Sequence, residues 1–160
     1  VRLSTKGRYA VMAMADMASR SDGKPMTLAE IAKQQDISLS YLEQLFAMLR
    51  RGGLVKSVRG PGGGYIFARP IDDIRVSDVI AAVDERITAV RCEPGASKGC
   101  MPCGARCITH DLWEELSNHI HLFLSSVTLA DVVNRKVLGR SGYLMQGGLP
   151  HPRQKAMASD

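Results

Sequence analysis

The chain has 160 residues, of which 45% are hydrophobic, with four cysteines and a net charge of +5. That apolar content excludes wholesale disorder, and no apolar run approaches the length of a membrane span. The N-terminus lacks a signal peptide's apolar core and Val1 reads as an alternative start codon, so the expected location is cytoplasmic, where clustered cysteines suggest metal or redox chemistry more than disulfides. The charge is uneven: residues 1–70 hold 11 Lys/Arg against 5 Asp/Glu, and residues 71–160 hold 10 against 11. A basic N-terminal half is the footprint expected of a phosphate-binding face.

In chain order, residues 5–18 are rich in Ala and Met, with apolar positions almost all the way round, which predicts a buried helix with Lys6 and Arg8 near its start. A turn follows at residues 21–25. Thr27 and Glu30 form a capping box ahead of a short helix buried through Leu28, Ile31 and Ala32. After a turn at residues 37–39, Ser40 and Glu43 read as a second capping box. Leu42, Leu45, Phe46 and Leu49 then share one face, leaving Ser40, Glu43, Gln44, Ala47 and Arg51 on the other. Two short helices around a tight turn are the helix-turn-helix pattern.

Residues 54–58 and 65–68 are β-prone runs around the glycine-rich tip at 59–64, so they predict a hairpin wing. The tip is no phosphate-binding P-loop, because no Lys-Ser/Thr and no helix follow it. Residues 77–83 predict another short capped helix. Leu112, Trp113, Leu116, Ile120, Phe123, Leu124 and Val127 form the apolar stripe of a helix over 109–127, suited to packing on a second subunit or back on its own domain. A short helix over 128–133 follows, and the tail beyond Leu138 is Gly, Pro and polar residues. The fold class is therefore mainly α with a small β-hairpin wing.

All four cysteines lie in one stretch, with the spacing Cys92-x7-Cys100-x2-Cys103-x3-Cys107-x2-His110. The loop has little apolar surface to bury, and thiolates with an imidazole converging on a metal would hold it in one shape. Zinc or a [2Fe–2S] cluster would each suit such N/S donors. Cys107 and His110 fall at the start of the long helix, where the dipole favours thiolate. His119, His121 and His151 have no cysteine neighbours and read as surface residues. Cys100 and Cys103 could form a redox pair, but no βαβ setting surrounds them.

Four stretches carry a family resemblance: RLSTKGRYAV at 2–11, ISLSYLEQLF at 37–46, VRGPGGGY at 58–65 and CITHDLW at 107–113. They resemble the IscR-type iron–sulfur cluster regulators of bacteria, homodimeric winged-helix transcription factors, over residues 2 to about 137. The resemblance implies a [2Fe–2S] cluster held by three cysteines and one histidine, supplied by the iron–sulfur assembly machinery. It also implies control of cluster-assembly genes rather than enzymatic activity. By motif the ligands are Cys92, Cys100, Cys107 and His110, but this loop is longer and Cys103 could substitute for Cys100. The implied organisation is a winged-helix DNA-binding domain over 1–84, a cluster-binding loop over 85–108, a dimerisation helix and short following helix over 109–137, and a disordered tail over 138–160. Candidate contacts to double-stranded DNA are Arg2, Ser38, Ser40, Tyr41, Glu43, Gln44, Arg50, Arg51, Arg59 and Gly60. The alternatives are a zinc-stabilised DNA-binding protein without a sensory role and a thiol oxidoreductase using Cys100 and Cys103.

Overall fold

A computed structural model of the chain describes residues 4–85, 87, 89 and 99–139. Arg2, Cys92 and the tail beyond Gly139 lie outside the described residues. Among the described residues, six helices and one hairpin follow in the order α1 (Thr5–Arg20), α2 (Leu28–Gln35), α3 (Leu39–Arg51), β1 (Val55–Val58), β2 (Gly64–Phe67), α4 (Val76–Ala82), α5 (His110–Ser126) and α6 (Leu129–Val133).

Helix α1 starts where the Ser4 hydroxyl accepts the Lys6 amide, and it buries Ala10, Ala13, Met14 and Met17. The capping box of α2 forms as its sequence predicts. Thr27 Oγ1 accepts the Glu30 amide at 3.3 Å, and the Glu30 carboxylate accepts the Thr27 amide at 2.8 Å. Hydrogen bonds from the Thr27 hydroxyl and amide hold the Glu30 carboxyl below the usual carboxylate range. The helix ends on Asp36 in the left-handed region, at φ 52°.

The second expected capping box does not form. Helix α3 begins two residues earlier, with the Ser38 hydroxyl accepting the Tyr41 amide at 3.3 Å. The reason is burial. With Ser38 as the cap, Ile37 precedes it and Leu42 is the fourth helical residue, and both are buried in one core. That is the hydrophobic-staple arrangement, which a Ser40 cap would break. Leu42, Leu45, Phe46 and Leu49 are fully buried, each contributing roughly 1.5–3 kcal/mol. Their burial fixes which face of α3 meets solvent.

The wing is an antiparallel pair in the register Val55↔Phe67 to Val58↔Gly64. Met26 and Tyr65 exchange backbone hydrogen bonds of 3.0 and 2.8 Å, joining the hairpin to the segment before α2. Tyr65 also packs edge-on against Phe46, with ring centroids 5.0 Å apart. Helix α4 starts one residue before the expected Ser77, and its cap bond comes from Asp78, whose carboxylate accepts the Arg75 amide at 3.1 Å. The chain leaves through the cysteine loop and α5, then returns. The Val127 carbonyl accepts the Val76 amide at 2.9 Å, the Leu129 amide donates to Ile74 at 2.8 Å, and Leu129 joins the main core. The C-terminal end of α5 packs through Phe123, Leu124 and Val127 on Val76 and Ile80 of α4.

Candidate metal centre and nucleic-acid interface

The face that α3 turns to solvent carries Ser40, Glu43, Gln44, Arg50 and Arg51, all exposed, and Ser38 is exposed at its cap. Tyr41 is half-buried, edge-on to Tyr9 of α1. Because Ser38 and not Ser40 caps the helix, Glu43 plays no capping part and its carboxylate faces outward. At the wing tip Arg59 and Gly60 are exposed, and Gly60 and Gly62 adopt φ of 98° and 71°. The tip closes through the Gly63 amide donating to the Gly60 carbonyl at 2.9 Å. A Cβ at Gly60 or Gly62 would meet nothing within 4 Å, so the backbone there is open to close approach beside the exposed Arg59. Among the described residues, none of Arg50, Arg51, Lys56 and Arg59 has an acidic partner, so these cations are available to phosphates.

The second site is built at the start of α5. Residues 99–105 fold back on themselves: the Gly99 amide donates to Gly104 at 2.8 Å, Met101 to Ala105 at 3.1 Å, and Gly104 to Met101 at 2.9 Å. Gly99 is required for this turn, since a Cβ there would lie 2.3 Å from the Ala105 carbonyl. The fold-back carries Cys100 to the helix. Its Sγ accepts the Cys107 amide at 3.1 Å and lies 3.5 Å from His110 Nδ1. The Cys107 carbonyl accepts the His110 amide at 2.9 Å, and Cys107 Sγ lies 3.5 Å from Thr109 Oγ1. His110 opens α5 and is only 5% exposed. Cys103 sits at the exposed tip of the same turn, away from this group.

The two partly buried thiols influence each other. Donation from the Cys107 amide, the largest single influence, favours a thiolate at Cys100, but the Cys107 side chain and burial together push the Cys100 thiol up. The Thr109 hydroxyl, with help from Cys100, pulls Cys107 down. The two thiols are thus shifted in opposite directions, Cys107 toward the thiolate and Cys100 away from it. A bound cation offsets the rise at Cys100, so two sulfurs beside a buried imidazole fit a metal of the N/S-ligated kind. The residues present thus suit either of the metals the sequence suggested.

Three residues that the sequence reading passed over hold this site. Glu114, one helical turn after His110, places Oε2 at 3.6 Å from His110 Nε2, a spacing visible as i,i+4 in the sequence. Ser117 Oγ accepts the Ala89 amide at 2.8 Å, tying the entrance of the loop to α5. Glu85 accepts the Ser4 amide at the start of α1. No local pattern announces that bond, because its ends lie 81 positions apart.

Among known proteins, the model of the Rrf2 family, described as iron-dependent transcriptional regulator, matches residues 3–135. The HTH-type transcriptional regulator IscR of Salmonella agona (strain SL483) is 48% identical over 161 residues, covering 100% of this chain and 95% of that protein. IscR of Escherichia coli (strain K12 / DH10B) is 51% identical over 143 residues, covering 89% and 86%. Among solved structures, T. potens IscR superposes with a TM-score of 0.68 at 38% identity, covering 90% of this chain and 96% of that one. CymR (YrzC), the global cysteine regulator of B. subtilis, gives 0.69 at 32% identity, covering 84% and 98%.

Proposed function

The chain belongs to the Rrf2 family of iron-dependent transcriptional regulators, and from that premise we propose that it is a DNA-binding regulator that reads iron–sulfur status through a [2Fe–2S] cluster. Its relatives are helix-turn-helix transcription regulators, so it is a regulator and not the thiol oxidoreductase that Cys100 and Cys103 suggested. The observation that carries the cluster reading is Cys100 Sγ lying against His110 Nδ1 and the Cys107 amide at the start of α5, in a chain about half identical to proteins named IscR. We assign Cys92, Cys100, Cys107 and His110 as ligands, with Cys103 outside the set. When bound, the cluster supplies an iron- and redox-responsive group, and one imidazole among thiolates raises its potential relative to an all-cysteine site.

The chain's own residues do the rest. Cys107 and His110 flank the first turn of α5, so holding them fixes that helix start. Ser117 and Glu85 tie the entrance of the loop to α5 and to the N-terminus of α1. Ordering the loop thus reaches the DNA-binding half through defined bonds. The reading includes a homodimer, operators in cluster-assembly promoters, the assembly machinery as cluster source and a cytoplasmic setting. In that setting residues 1–84 bind DNA, 85–108 hold the cluster and 109–137 dimerise. Anaerobic purification with a visible spectrum and iron and sulfide analysis tests it. Visible absorption with equal iron and sulfide is expected, and colourless protein carrying zinc would favour a purely structural metal.

Operator reading is assigned to α3 in the major groove. Gln44 suits adenine and Glu43 suits the cytosine amino group, while Ser38, Ser40, Tyr41, Arg50 and Arg51, with Arg2 before α1, hold the backbone. A carboxylate near phosphates is repelled unless a cytosine amino group meets it, so Glu43 excludes wrong sites. Glu43→Ala should reduce discrimination between operator variants by about 1–3 kcal/mol, with thermal stability unchanged because Ser38 supplies the cap. Equal selectivity of the two proteins across an operator panel would remove this role.

Arg59, with Gly60 beside it, suits a narrow and strongly negative minor groove. Arg59→Ala is expected to weaken operator binding by about 1–3 kcal/mol. A loss no larger than that from Arg153→Ala, near the C-terminus, would count against the contact.

A further inference from the structure

We propose that Glu114 is a positioning residue for the metal centre, holding His110 in the tautomer that carries its proton on Nε2 and turns the Nδ1 lone pair toward the cysteine sulfurs. The inference rests on the reading above, in which His110 is a ligand. It deepens that reading by assigning the ligating nitrogen and the residue that selects it.

The geometry follows from the helix. Side chains four apart lie one above the other, and a helical side chain leans back toward the N-terminus. Glu114 therefore reaches down over His110, and its Oε2 lies 3.6 Å from Nε2, one small rotation outside hydrogen-bond range. On the other side of the ring, Nδ1 lies 3.5 Å from Cys100 Sγ. The imidazole is thus held between a carboxylate and a sulfur, one facing each nitrogen. Arg106, from the loop between Cys103 and Cys107, brings Nη1 to 3.9 Å from the same Oε2. It places a positive charge beside the Glu114 carboxylate.

These neighbours distinguish the two neutral tautomers. With the proton on Nε2, a small rotation lets Glu114 accept it, and Nδ1 presents a lone pair on the sulfur side. With the proton on Nδ1, the Nε2 lone pair faces a carboxylate, which repels it. A buried ring needs an acceptor for whichever nitrogen is protonated, and His110 is buried. Asp111 also brings a carboxylate oxygen within 4.8 Å of His110 and Glu114, but its side chain is exposed, whereas Glu114 stands one helical turn from the ring. Carboxylates that hold the far nitrogen of a ligating imidazole fix both its tautomer and its ring orientation.

The test uses the full chain with 15N-labelled histidine, reduced and free of metal, in long-range proton–nitrogen NMR, with the His110 signals assigned by their loss in His110→Ala. The Nε2–H pattern is expected in the parent protein and in Glu114→Gln, whose amide oxygen still accepts the proton. Glu114→Ala should give a mixed or reversed pattern. On anaerobically loaded protein, Glu114→Ala should shorten the lifetime of the visible absorption against an iron chelator by about tenfold. Glu114→Gln should stay near the parent, and Glu115→Ala, which removes the same charge one residue away, should match the parent. An unchanged tautomer in Glu114→Ala, or Glu114→Gln behaving as Glu114→Ala does, overturns the proposal. A cluster that survives His110→Ala unaltered overturns the ligand assignment beneath it, and that result is read independently of the tautomer pattern.

Discussion

Cys100→Ala should abolish the visible absorption of the anaerobically purified protein, whereas Cys103→Ala should keep it. The difference arises from the turn over residues 99–105, not from any chemical difference between two cysteines three positions apart. The backbone bonds of that turn bring Cys100 against the Cys107 amide and His110 and leave Cys103 at its exposed tip. Cys92→Ala, Cys107→Ala and His110→Ala should likewise lose or destabilise the absorption. Gly99→Ala should imitate Cys100→Ala while leaving every sulfur in the chain, because its Cβ would strike the Ala105 carbonyl and Cys100 would no longer reach the helix. The far-ultraviolet circular dichroism of all these variants should match the parent, since the apolar contacts of α5 with α4 involve none of the substituted residues. Loss of absorption in Cys103→Ala with retention in Cys100→Ala would exchange the two assignments. Normal operator regulation by the alanine variants of all four cysteines and His110 would remove the sensory role altogether.

The same turn shows what sequence could and could not disclose. Helix-turn-helix, wing and long helix were legible because each rests on local chemistry: a Thr27–Glu30 capping box, β-prone runs around glycines, and an apolar stripe of helical period. The start of α3 was misread because Ser40 and Glu43 satisfy the local capping pattern as well as Ser38 does. Only the common burial of Ile37 and Leu42 decides between them, and that is a tertiary fact. The ligand cluster was legible as a composition, since four cysteines and a histidine crowd into one loop. Which thiol turns inward was not, because it depends on backbone bonds within 99–105. Glu85 was invisible, as its partner Ser4 is brought near only by the packing of α1 and α4. For α5 the period revealed an apolar stripe but not that its two halves have different surroundings.

That difference between halves sets the second large effect, the loss expected in Leu116→Glu of the homodimer we propose. Phe123, Leu124 and Val127, at the C-terminal end of the stripe, pack on α4. Leu112, Trp113 and Leu116, at the N-terminal end, are 62%, 42% and 38% exposed. Large apolar side chains gathered on one exposed helix face are what a partner covers. A second copy of the chain presents the same face, so a twofold contact buries both at once. A glutamate at 116 then appears twice in the contact. Taking about 1.5 kcal/mol for each uncompensated polar group, toward the lower end of the range, the dissociation constant rises roughly 100-fold, at 1.4 kcal/mol per factor of ten. Operator binding should fall with it, because helix-turn-helix dimers span two half-sites and a monomer holds one. Asn118→Glu adds the same charge to an exposed position of the same helix, more than half a turn away from Leu116, and should leave both assembly and binding intact. Light scattering with operator titration separates the variants. If Leu116→Glu stays dimeric and binds operator as Asn118→Glu does, the exposed half of α5 is not the dimer contact, and the surface joining two DNA-binding units lies elsewhere on the chain.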